Sequence, residues 1–126
     1  MRPQTLVEVA QRTISGESFD RCLANFLDEF YAKPNAEALA EAPPLLVQKF
    51  GEIGQVQDAY LAATADELAR INDFPFPAWT TDAARELHRP WFASPLAALR
   101  AVLLLESPTA FRSRNLFISE NALSRA

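Results

Sequence analysis

Few residues in this chain have the types and spacing that chemistry requires. His88 is the only histidine and Cys22 the only cysteine, whereas a structural zinc ion is ordinarily held by four nitrogen or sulfur ligands. No metal is therefore expected. A Cys22–His88 nucleophilic pair would need the fold to bring two distant segments together, and Cys22 sits on the apolar stripe of a helix, where a thiol is inert. Asp28 and Glu29 are adjacent, so on a helix they diverge, and Asp20 and Asp28 lie two turns apart on a face that solvation explains. The stretch 51–54 has two glycines but lacks the lysine and the spacing of a phosphate loop, which leaves a helix break or close packing. These patterns predict no catalytic residue, no cofactor and no enzyme.

Binding chemistry is better represented. Arg89, Trp91 and Phe92 fall in one short block, and residues 107–118 hold Phe111, Arg112, Arg114, Leu116, Phe117 and Ile118. Rigid aromatic side chains beside guanidinium groups are the combination that most often carries binding energy at interfaces. Arg89, Trp91, Phe92, Arg112 and Arg114 are accordingly the expected partner-binding residues. Charge divides along the chain in the same way: residues 1–84 carry a formal −7 and residues 85–126 a formal +3, giving −4 in total. The two parts attract, either as basic residues facing acidic helices within one fold or as an arginine face kept for an acidic partner. An acidic total opposes phosphate binding, and no helix-turn-helix pair carries a basic recognition face, so direct nucleic-acid binding is not expected.

A chain of 126 residues, 49% hydrophobic and 22% charged, has the composition of one folded domain with a sizeable core. The longest nearly apolar run, 95–105, contains Arg100 and is well short of the roughly 20 residues that span a bilayer. One cysteine cannot make an internal disulfide, and the first residues form no secretory stretch. A cytoplasmic protein without membrane attachment is the expectation.

The periodicity is helical throughout. Leu6, Val7, Ala10 and Ile14 predict a short first helix closed by Ser15 and Gly16. Over 17–33, Phe19, Cys22, Leu23, Phe26, Leu27, Phe30 and Tyr31 form an unbroken stripe, with Ser15 or Ser18 as cap and Pro34 beyond the end. One short helix fits before Pro43 and Pro44, and a longer one fits 55–72. The Phe74-Pro75-Phe76-Pro77 strip is a stiff connector whose aromatic rings are expected to cover the core, a polyproline-type ligand for another domain being the alternative. Thr80 or Thr81 caps a helix through Arg89. Ser94-Pro95 and Ser107-Pro108 each place a capping hydroxyl before a proline, predicting helices over 95–106 and around Phe111. Asn115 then leaves the helical region and residues 116–118 extend along the body. The expected fold is all-α: a single compact helical domain over 1–126, with about six to seven helices and an extended C-terminal segment.

The C-terminal third resembles a pattern in small uncharacterised bacterial proteins, some of them suspected antitoxins in paired gene modules. The residues that carry the likeness are Pro90-Trp91-Phe92, Leu99-Arg100-Ala101 and the block 106–118. The resemblance implies a protein that neutralises or regulates a protein partner by binding it. Two expectations of different classes follow. One is a protein-binding or regulatory chain, antitoxin-like or self-associating; the other is a small enzyme or ligand-binding domain with a pocket among Trp79, His88, Trp91 and the arginines.

Overall fold

The computed structural model describes residues 1–93, 103, 104, 106–119 and 122–125. The helix expected over 95–106 lies mostly outside these residues. Within them the protein is predominantly helical, as the periodicity predicts. Helix α1 (Leu6–Ile14) opens on Thr5, whose Oγ1 accepts the Glu8 N–H. Helix α2 (Phe19–Ala32) opens on Ser18 in the same manner. In each case a side-chain oxygen takes up an amide that the first turn cannot bond internally. The stripe of α2 buries Phe19, Cys22, Leu23, Phe26, Leu27 and Phe30. Its last member, Tyr31, is instead exposed and its hydroxyl donates to the Leu123 carbonyl.

Two short helices follow, α3 (Glu37–Ala40) and α4 (Val47–Phe50), and then the long α5 (Glu52–Ile71). At 20 residues α5 is about 30 Å long. It is the axis of the fold, because α4, the later turns, and the C-terminal elements all pack on it. Gly51 separates α4 from α5 at φ +64°, a conformation that side chains rarely adopt, and its N–H closes α4 on the Val47 carbonyl. One turn on, Gly54 lets α4 come close: a Cβ there would lie 2.3 Å from the Leu46 carbonyl oxygen. Both sequence readings of this stretch hold, each at a different glycine. Gly54→Ala is expected to cost about 1–3 kcal/mol, since backbone cannot move aside as a side-chain tip can. A urea melt checks this, and an unchanged midpoint refutes the close approach.

Between α5 and the C-terminal region the predicted helix through Arg89 is replaced by two 3-10 turns, Ala78–Thr81 and Ala83–Arg85. Asp82 lies between them in an extended conformation, and its Oδ1 accepts the Ala84 N–H. The cap is therefore Asp82, and neither threonine serves: Thr80 and Thr81 each donate a hydroxyl back to a carbonyl three residues earlier. A two-residue strand β1 (Trp91–Phe92) pairs in parallel with β2 (Leu116–Phe117). A final short helix α6 (Thr109–Arg112) precedes β2. Asn115, at φ +62°, turns the chain into β2 as expected. Ser107 does not cap α6. It is buried, donates to the Leu103 carbonyl and accepts the Ile118 N–H at 2.6 Å, which fastens the extended segment to the body.

One core runs through the structure. It includes Leu6 and Val9 of α1, the α2 stripe, Leu61 and Leu68 of α5, and Phe111, Leu116, Ile118 and Leu123. Tyr60 links the layers, its ring meeting Phe19 edge-on at 6.2 Å and Phe111 at 5.0 Å. Among the described residues no helix is long and apolar enough to cross a membrane.

Candidate functional site

The arginines that sequence singled out fare differently. Arg114 is 7% exposed. Its Nη2 bonds Asp66 Oδ2 at 2.8 Å and the Thr80 carbonyl at 2.9 Å, while Nη1 bonds the Ala110 carbonyl at 2.7 Å. It therefore braces α6 and the first 3-10 turn against α5, so this guanidinium, expected to meet a partner, is engaged within the chain. Arg112 is exposed, with one long contact of 3.4 Å to Thr109 Oγ1. Arg89 and His88 are exposed beside each other. Phe92 is half-buried and stacks on Phe117 across the ribbon, centroids 5.0 Å apart.

Arg85 completes the same pattern. It is buried, its Nη2 bonds the Pro43 carbonyl at 2.5 Å, and its guanidinium lies 4.8 Å from the Trp79 ring centroid. Its Nη1 lies 3.9 Å from Asp58 Oδ1. Asp58 is fully buried on α5 and accepts the N–H groups of Leu46 at 2.6 Å and Val47 at 3.1 Å. Burial pushes the Asp58 carboxyl above its ordinary range, and the two amides and Arg85 pull it back. With Arg114–Asp66 and Arg125–Asp28, this pair unites the basic end of the chain with the acidic first part. Much of the charge division is thus internal pairing.

Of Trp79, His88 and Trp91, expected together around one pocket, Trp91 lines the groove described below and the other two are not in its lining. Trp79 is half-buried, donates its Nε1 to the Leu39 carbonyl at 2.9 Å and carries Arg85 on its face. Trp91 alone faces a cavity, and that cavity lies elsewhere. It is an open groove of about 740 Å³ between α2 and α5. Phe19, Asp20, Leu23, Ala24 and Leu27 form the α2 wall; Glu52, Ile53, Val56, Gln57 and Tyr60 form the α5 wall. These spacings, eight residues from end to end on either helix, are one face of two turns or about 12 Å. Trp91 and Ala93 beyond the ribbon, with Ile118, Ser119, Ala122 and Arg125, make the third wall.

The groove is lined mainly by apolar side chains, with one acid on each helical wall. Ile53 is 68% exposed and Trp91 36%, large apolar side chains that water contacts at an energetic cost. Asp20 and Glu52 are exposed, and neither makes an ion pair among the described residues. Arg125, the one cation in the lining among the described residues, is held by Asp28 at 3.0 and 3.3 Å. Gln57 has its Oε1 buried with no hydrogen-bond partner among the described residues. Burial first, and then the Asp20 carboxylate, push the Tyr60 phenol up to about 12. Stability linked to Tyr60 is therefore intact below its unfolded value of about 10 and declines as pH rises toward 12. An absorbance titration is expected to show a tyrosinate step near 12 that Tyr60→Phe removes. A titration in which Tyr60→Phe leaves every step in place would place the ring outside this environment.

Sequence reasoning singled out Trp91, which lines this groove, but not the α2 and α5 walls, because Phe19, Leu23 and Leu27 belong to a stripe that packing alone explains. The exposed Ile53 beside Gly51 and Gly54 was the available signal. Among the described residues no group of three or more His, Cys, Asp or Glu could hold a metal ion. No protein-family model matches this chain, and neither does any curated protein or solved structure.

Proposed function

We propose that this protein acts by binding another protein, as a regulatory or antitoxin-like partner, and that the α2–α5 groove receives a helix of that partner. The observation that carries the reading is the groove itself: α2 and α5 each line it with two turns of one face, and its lining includes the exposed Ile53 and Trp91. A third helix laid there would bury its apolar residues at i, i+3, i+4 and i+7 in the way that helix-in-groove recognition does. The groove replaces the arginine face as the docking place, because Arg114 is an internal brace and Trp91 is the one expected binding residue in the groove lining.

The test uses protein labelled with fluorotryptophan, in which fluorine NMR distinguishes Trp91 from Trp79. A synthetic amphipathic helix of about fifteen residues, with leucines at those four spacings and uncharged flanks, is titrated in. The Trp91 resonance is expected to shift to saturation while that of Trp79 holds, and Ile53→Glu should abolish the shift without lowering the melting temperature. A Trp91 signal indifferent to the peptide refutes the groove as a docking site.

A further inference from the structure

Resting on that reading, we infer that the groove selects a basic helix, one that sets lysine or arginine beside its apolar stripe. Three observations converge on a ligand that donates and carries positive charge. Asp20 and Glu52 both line the groove, one from each helical wall, with no cation paired to either among the described residues. Among the described residues the lining holds one cation, Arg125, and Asp28 already engages it. Gln57 also lines the groove, and its Oε1 is buried without a donor among the described residues, an acceptor that an incoming N–H group would satisfy once the side chain turns outward.

Position makes the two carboxylates effective. Asp20 stands one residue from the buried Phe19, and its charge reaches the Tyr60 phenol on the opposite wall. Glu52 stands beside the exposed Ile53. A helix whose leucines meet Leu23, Val56 and Tyr60 would carry its flanking side chains past these acids, one on either side. The long apolar stems of lysine and arginine would lie along Ile53 and Trp91 while their charged ends stay wet. An acidic helix would meet like charge on both edges, and this repulsion makes the groove selective rather than merely sticky.

The experiment compares three synthetic peptides sharing one leucine stripe, with lysine, glutamine or glutamate flanks, against intact protein. The Trp91 fluorine resonance reports occupancy. The lysine peptide is expected to bind about tenfold more tightly than the glutamine peptide at low salt, with the glutamate peptide weaker still. Raising the salt should erase most of that order. The Asp20→Asn, Glu52→Gln double variant should bind all three alike while melting as the parent does. Equal affinity of the parent for the three peptides overturns the inference but leaves the groove as a docking site; no binding of any peptide overturns both. Octylammonium shifting Trp91 at lower concentration than the lysine peptide would assign the groove to a small amphiphile and also overturn the inference. So would sedimentation showing a dimer that Ile53→Glu dissolves, since the groove would then be filled by a second copy.

Discussion

Asp58→Ala is expected to remove about 3–5 kcal/mol of stability, the usual loss when one member of a buried charged pair is deleted. Set against the 5–15 kcal/mol typical of a domain, that is a large fraction of the whole. Three groups lose their partner at once: the Leu46 and Val47 amides and the Arg85 guanidinium. Asp58→Asn would not repair the site, because one side-chain atom facing those amides would become a donor. The urea midpoint measures the loss, and a double-mutant cycle locates it. Arg85→Met alone should be destabilising as well, but adding it to Asp58→Ala should cost less than the separate effects summed, since the stranded charge disappears. Strict additivity would show that the two side chains do not interact.

The second large effect separates two arginines only two positions apart. Arg114→Glu is expected to cost at least about 3–5 kcal/mol, because it replaces a buried cation by an anion that faces Asp66. Arg112→Glu should stay within about 0.5 kcal/mol, as surface substitutions do. Thermal melts of both variants decide the matter. If Arg114→Glu melts with the parent, the Asp66 contact contributes nothing and the brace is misassigned. If Arg112→Glu collapses the fold, its exposed position is wrong.

Much of the helical architecture was legible in the sequence because its signals are local. The α2 stripe, the Ser18 cap and the Asn115 turn depend on residues within a few positions of one another. Asp58 gave no such sign. A single acid in a helix that also holds Gln55, Gln57, Asp66 and Glu67 has the pattern of a solvated residue, and its role depends on α4 arriving one turn beyond Gly54. Ser107 misled for a related reason. Its hydroxyl suits the start of α6, but the extended segment after β2 offers it the Ile118 amide, and a buried amide must be satisfied. Arg112 and Arg114 were indistinguishable by type, and only the position of Asp66 across the fold sorted them. Of the site, Trp91 was legible as an aromatic residue beside arginine. The walls were not, since a stripe that is half core and half groove has the same period as one that is all core.

The parallel ribbon of β1 and β2 gives the groove an uneven rigidity. Two walls belong to helices of 14 and 20 residues, whose amides are bonded along most of their length. The third adjoins strands of two residues each, joined through the Trp91 N–H to the Asn115 carbonyl and the Ala93 N–H to the Phe117 carbonyl. So short a ribbon has little cooperativity of its own, and its amides are expected to exchange with solvent through local opening rather than global unfolding. If the proposed docking holds, the ribbon wall is therefore the one expected to yield to an incoming helix, at the cost of a few backbone bonds. A bound helix would tighten that third wall, so the slowing of hydrogen exchange at Trp91 and Ala93 measures how much ordering the protein contributes to its own complex.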